Sequence, residues 1–176
     1  MTAVIYGNWD RMHDGQKAAL GKIYSEQEDI IIARLESPEK DSGAAKGMRS
    51  YAARKNAVKA YLKKLEGQLK LGRTIAYLDY SDRDDMMADV LNHSFDTVYV
   101  GAHKAARMCE GGIIRDMQDT RASASLPAAK LVLVPTVLDD HKLSMSATRV
   151  RKREIIAARR ALIKPSSLRS SMHGDV

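Results

Sequence analysis

The chain has 176 residues, 44% of them hydrophobic, with a formal net charge of +7 and a pI near 9.5. That length accommodates one domain with a full-sized core; the single cysteine, Cys109, excludes an intrachain disulfide framework, and no run approaches the ~18 apolar residues of a membrane span. The N-terminus shows no basic region followed by an apolar stretch of signal length, so the expectation is a soluble, cytoplasmic protein whose positive charge suits an anionic ligand.

The first predicted element is the one around which the chain is organised. Ala3, Val4, Ile5 and Tyr6 are uncharged and mostly β-prone, as in a strand covered on both faces of a parallel sheet. Gly7 then lets the backbone turn. Gly15 stands where a helix begins, and its missing side chain allows a ligand to approach backbone N–H groups that the helix dipole makes attractive to phosphate. His13 and Gln16 are three apart, a spacing that sets both side chains beside the same anion on a first helical turn. Ala18, Ala19, Leu20 and Ile23 continue one helical stripe to about Ser25. An apolar run over residues 29–35 is a second buried strand, which completes a right-handed βαβ unit.

Residues 37–49 hold Pro38, Gly43 and Gly47 among charged residues, a composition that favours a loop. Of its lysines, Lys40 reads as solvated. Residues 51–71 form a long amphipathic helix with Arg54 near its start. Strands follow at 74–78 and 95–101, separated by an acidic helix over 82–92. Gly101 ends the second of these, so Gly7 and Gly101 are expected on the two sides of the crevice where strand order reverses. Residues 102–118 read as helix interrupted at Gly111-Gly112, 119–127 as a polar loop, and 130–135 as the fifth strand, with Pro135 at its end. Ser146 is then a plausible N-cap for a helix running through Arg160, where hydroxyls and N–H groups would bind an anion and Arg149 would lie over a phosphate. The fold class expected is α/β, a Rossmann-like doubly wound parallel five-stranded sheet with helices on both faces. The domain occupies 1–157, and 158–176 is a basic helix end with a flexible tail. Lacking interleaved aromatics, that tail is a weak nucleic-acid arm.

Two segments carry a resemblance. Gly7-Asn8-Trp9-Asp10, followed by His13-Asp14-Gly15-Gln16, resembles the first signature of the nucleotidyltransferase superfamily, a Gly-Thr-Phe-Asp and a His-x-Gly-His whose imidazoles bind the phosphates of a nucleoside triphosphate. Ser144-Met145-Ser146-Ala147-Thr148-Arg149-Val150-Arg151 resembles the second, Ile-Ser-Ser-Thr-Arg-Ile-Arg. Residues 131–138 are similar to the fifth strand and loop of the archaeal and eukaryotic type of phosphopantetheine adenylyltransferase, and Tyr51 to Arg54 resembles that family's Tyr-x-x-Arg. The likeness covers roughly residues 2–156, with specific motifs at each end and architecture between.

The resemblance implies transfer of an adenylyl group from ATP, with Mg²⁺, to the phosphate of a small acceptor, with release of pyrophosphate. The acceptor it implies is 4′-phosphopantetheine, a step of coenzyme A biosynthesis. Flavin mononucleotide, nicotinamide mononucleotide and, with cytidine triphosphate, phosphoalcohols stay open, because the same fold serves all of them. His13, Gln16 and Arg149 would be the catalytic residues. Gly7, Asn8, Trp9, Asp10, Gly15, Gly101, Ser146 and Thr148 would bind nucleotide, Lys46 and Arg54 would contact phosphate or acceptor, and no protein side chain is assigned to the metal. The chain departs from the family pattern at Asn8, Gln16 and Ala147. Gln16 can donate to a phosphoryl oxygen but cannot carry the charge of a histidinium, which motivates an alternative: a nucleotide-binding or assembly module that kept the fold and lost the chemistry. No membrane partner is expected, and the oligomeric state is left open, a homo-oligomer included.

Overall fold

Near-continuous apolar runs make β1 (Thr2–Gly7) and β2 (Asp29–Leu35) the buried centre of the sheet, each covered on both faces. In the computed structural model, which describes residues 2–36, 48–92, 95–143 and 147–162, they are joined by β3 (Thr74–Tyr80), β4 (Thr97–Gly101) and β5 (Lys130–Val134). The five strands lie in the order β3-β2-β1-β4-β5, every neighbouring pair parallel. Strand order therefore reverses between β1 and β4, where a doubly wound sheet opens its crevice.

Period-2 alternation sends successive side chains to opposite faces, and helices cover both. Ala3, Ile5, Ile30 and Ile32 pack against Leu20, Ile23 and Tyr24 of α1 (Asp14–Glu26) and against Val58, Leu62 and Leu65 of α2 (Tyr51–Leu69). On the other face Val4, Tyr6, Ile31, Val98 and Val100 meet Met86 and Val90 of α3 (Arg83–Asn92), Ala105 and Met108 of α4 (Ala102–Glu110), and Met117 of α5 (Ile113–Ser123). Each fully buried Leu or Ile contributes about 1.5–3 kcal/mol, so this two-sided packing holds β1 and its following turn in place. The helix α6 (Ala147–Leu162) closes the described chain. Among the described residues no helix is long and apolar enough to cross a membrane.

The expected fold class is the one observed, and several element bounds are corrected. The segment expected as a loop from 119 is helical to Ser123. Gly112, at φ +74, turns the chain and restarts the helix; its inner face is Met117 and a buried arginine, Arg121, whose Nε donates to the carbonyl of Pro127 at 2.8 Å. β3 extends to Tyr80 because Asp79 pairs laterally with Arg34. α2 stops at Leu69, where Lys70 takes a left-handed cap at φ 50. α6, expected through Arg160, runs to Leu162; residues 163–176 of the expected tail lie outside the described residues.

Candidate phosphate-binding site at the sheet reversal

The turn after β1 is held in an unusual conformation by what it buries. Trp9, Arg11 and Met12 have φ of 53, 68 and 38, three non-glycine residues in the left-handed region within four positions. Such conformations persist only where the surroundings over-determine them. Here the Trp9 indole is 3% exposed and its Nε1 donates to the carbonyl of Ala33 at 3.1 Å. Asp10 is fully buried and accepts the Arg49 N–H at 3.3 Å, while Asn8 Oδ1 accepts the Asp10 N–H at 3.3 Å. Asn8, Trp9 and Asp10, expected to bind nucleotide, thus build the loop, with the Trp9 ring and the Asp10 carboxylate turned into the protein.

This turn delivers the start of α1. His13 is its N-cap, extended at φ −68 and ψ 167, and its carbonyl accepts the Lys17 N–H at 3.0 Å. No side chain caps the helix, so the first-turn N–H groups around Gly15 stay open to an anion, with the Asp14 carboxylate of the same turn opposing it. His13 Nδ1 and Gln16 Oε1 are both buried without a hydrogen-bond partner. Burial lowers the His13 pKa below its ordinary 6.5; Asp14 and Asp10 oppose the shift and Lys17 adds to it. A proton on Nδ1 would be buried and unpaired, so burial favours the neutral tautomer with its proton on Nε2. The amide of Gln16, with its oxygen buried, likewise offers its nitrogen. His13 and Gln16 thus stand one turn apart at an open helix N-terminus.

Across the reversal, Gly101 ends β4 and is the N-cap of α4, again without a side-chain cap. It adopts φ −69 and ψ 145, and a Cβ there would meet only Val134 Cγ2 at 3.9 Å. The protein itself does not require a glycine at this position. Gly7 and Gly101 are thus the last residues of two adjacent strands, and both are followed by helices with uncapped N-termini.

The second motif is brought toward the first. Arg11 Nε lies 3.1 Å from Glu154 Oε2, and Arg153 Nη2 lies 2.6 Å from Asp139 Oδ2, so α6 is tied to the β1 turn and to the segment after β5. Thr148 and Arg149 fall in the first turn of α6, but their side chains, with Ser146 and Lys46 as a whole, lie outside the described residues.

Arg54, expected to contact phosphate or acceptor, is placed inside the protein. It is 3% exposed. Its guanidinium donates to the carbonyls of Asn8 (2.7 Å), Leu35 (2.8 Å), Arg49 (3.2 Å) and Glu36, which binds the β1 turn, the end of β2 and the start of α2 together. A second arrangement escaped the sequence reading altogether. Arg34, also buried, donates through Nε and Nη2 to Asp79 at 2.7 and 3.0 Å, lies 4.3 Å over the Tyr77 ring, and shares Asp79 with the Tyr51 hydroxyl. Burial works to raise the Asp79 pKa, yet the hydrogen bonds from Arg34 and Tyr51 and the charges of Arg34 and Lys55 hold it below its ordinary value. Its only sequence signal was an arginine inside an otherwise apolar strand.

No family model and no curated protein matches the chain. Among solved structures, the N,N'-diacetylchitobiose deacetylase from Pyrococcus horikoshii, complexed with an inhibitor, is similar at 14% identity over 90% of this chain and 68% of that one, with a TM-score of 0.36. A likeness so slight carries no argument about function.

What the arrangement can do follows from its donors. Uncapped N–H groups, an imidazole Nε2–H and an amide nitrogen suit the oxygens of a phosphate chain. Among the described residues no three His, Cys, Asp or Glu gather as a metal-binding group, and Asp10 is turned inward.

Proposed function

We propose that the protein is a nucleotidyltransferase, taking a nucleoside triphosphate at the β1–β4 reversal and transferring its nucleotidyl group, adenylyl by resemblance, to the phosphate of a small acceptor with release of pyrophosphate. The observation that supports this reading is the pair of buried, unpartnered atoms His13 Nδ1 and Gln16 Oε1 at an uncapped helix N-terminus, which leaves the other nitrogen of each side chain as a donor for an anion. Such chemistry needs no protein nucleophile. The acceptor phosphate attacks the α-phosphorus, the bond to the β-phosphate oxygen breaks, and pyrophosphate leaves with the electron pair. The chain's part is to hold the two phosphates in line and to meet charge on the α-phosphoryl oxygens with N–H groups of α1 and α4, with His13 and, by resemblance, with Arg149. 4′-Phosphopantetheine is the acceptor that the resemblance favours.

A second reading, a nucleotide-binding module without turnover, is favoured by Gln16, which has no charge to give, and by the burial that disfavours the His13 imidazolium. Loss of one charged transition-state contact costs on the order of a hundredfold to a thousandfold in rate and need not abolish binding. Incubation with ATP or cytidine triphosphate, Mg²⁺ and a panel of phosphorylated acceptors separates the two. Acceptor-dependent pyrophosphate release supports the enzyme. Calorimetric ATP binding without release leaves the module, and the absence of both removes the site.

A further inference from the structure

The helix α6 presents a surface that the rest of the domain leaves uncovered. Every described residue from Lys152 to Leu162 is exposed, and α6 is held in its first half by the Glu154 and Arg153 ion pairs. Ile155, Ala158 and Leu162 recur at i, i+3 and i+7, one stripe of a helix, and Ile155, Ile156 and Leu162 are 41%, 50% and 85% exposed. Around this stripe lie Lys152, Arg153, Arg159 and Arg160 against one acid, Glu154. An isolated helix of this length is marginal in water. A partner that covers the apolar stripe and neutralises the flanking charge would stabilise it.

The same chain carries a surface of the opposite kind. α3 and α5 lie side by side over the second core cluster. Their exposed residues include Asp84, Asp85, Asp116 and Asp119 beside Arg83 and Arg115, an excess of acid, and crowding by Asp82, with lesser contributions from burial and Asp84, raises the Asp85 pKa. Near these acids Met87, Ile113 and Ile114 are only partly buried.

We propose that α6 of one molecule docks on the acidic α3–α5 face of a second copy, its Ile155–Leu162 stripe over Met87, Ile113 and Ile114, and that the exchange is reciprocal, closing a two-fold dimer. Charge decides the pairing: α6 against α6 would oppose two strongly basic helices, whereas α6 against α3 and α5 sets a basic helix against a face with an excess of acid. Within one molecule α6 is tied instead to the β1 turn and the segment after β5. Reciprocity uses both halves of the contact twice and leaves no open end for a filament. The proposal rests on the fold and the charge distribution alone, independently of the nucleotide site.

Light scattering and sedimentation of the full chain test it. The wild type is expected to be a dimer at micromolar concentration and low salt, with a dissociation constant that rises about tenfold or more in high salt as surface charges are screened. Arg159→Glu/Arg160→Glu and, separately, Asp84→Lys/Asp116→Lys should each be monomeric with cooperative melting retained. Mixed together they should form a one-to-one heterodimer, because reversed α6 then meets the reversed acidic face and native α6 the native one. Ile155→Asp/Leu162→Asp should be monomeric too, and keeps the test alive if a charge variant misfolds. A wild type that is monomeric throughout, a dimer indifferent to these changes, or a mixture of the two charge variants that stays monomeric overturns the proposal.

Discussion

Arg54 Nη1 donates to the carbonyl oxygen of Asn8 at 2.7 Å. A buried guanidinium on α2 thereby fixes the turn that delivers His13 to the sheet reversal, and the same group ties down the end of β2 through the carbonyls of Leu35 and Glu36. Arg54→Met would strand four carbonyls that now share one cation. Each buried acceptor left unpaired costs about 1–3 kcal/mol, so a total loss of about 3 kcal/mol or more is expected. Arg54→Lys keeps the charge but cannot reach four acceptors with one ammonium, and should fall between. Denaturant midpoints measure both. Wild-type stability for Arg54→Met would return Arg54 to the ligand contacts.

The contrast between Arg54 and His13 shows which parts of the protein were legible in the sequence. β1 and β2 were read correctly because strands buried on both faces must be apolar throughout, a signal local to each segment. The start of α1 at His13, with Gln16 one turn on, was equally local, a matter of helical spacing. α5 was cut short because its inner face uses Arg121, which reads as polar yet is 2% exposed and bonded to Pro127. The inward turn of Trp9 and Asp10, the Arg54 bonds to Asn8, Leu35 and Glu36, and the Arg34–Asp79 pair join segments 18 to 46 residues apart, and no short window along the chain contains both partners.

His13 gives the site a pH signature. Burial holds its pKa below 6.5 in the folded chain. Above pH 6.5 the imidazole is neutral folded or unfolded and contributes nothing; below it the unfolded chain takes up a proton that the folded chain resists, so stability falls until the folded pKa is passed. His13→Asn should flatten that part of the melting-temperature profile. A bound triphosphate stabilises the imidazolium, so ATP should raise the His13 pKa, followed through its ring-proton NMR shift, and bind more tightly as pH falls. His13→Ala should weaken nucleotide binding or turnover with the fold intact. A His13 titration unchanged by saturating ATP would place the phosphates elsewhere.

Gly101→Ala separates a glycine kept for the protein from one kept for a ligand. The backbone angles suit alanine, and the new Cβ would make an ordinary contact 3.9 Å from Val134 Cγ2, so stability should change by no more than about 0.5 kcal/mol. If the phosphate chain runs past the N-terminus of α4, the methyl group intrudes on its approach to the backbone N–H groups, and nucleotide affinity drops while the melting temperature holds. Unaltered affinity would mean that the ligand does not pass Gly101.

Gln16 is where the chain leaves the pattern that it resembles, and Gln16→His probes whether the remaining site is built for turnover. The Gln16 side chain is partly buried with its amide oxygen unpartnered, so an imidazole of similar reach places a donor able to carry positive charge beside His13. If phosphoryl transfer occurs here, that charge acts most where the transition state gains negative charge, and turnover should rise more than nucleotide affinity. If catalysis has been lost, nearby groups no longer hold acceptor and triphosphate in line and one histidine restores nothing. If instead Gln16 is tuned to an unusual acceptor, histidine lowers the rate with that acceptor alone. Pyrophosphate release by wild type and Gln16→His on one acceptor panel distinguishes these outcomes, and the expected result is a gain. Silence from both proteins despite measurable ATP binding would sink the transferase and leave the binding module.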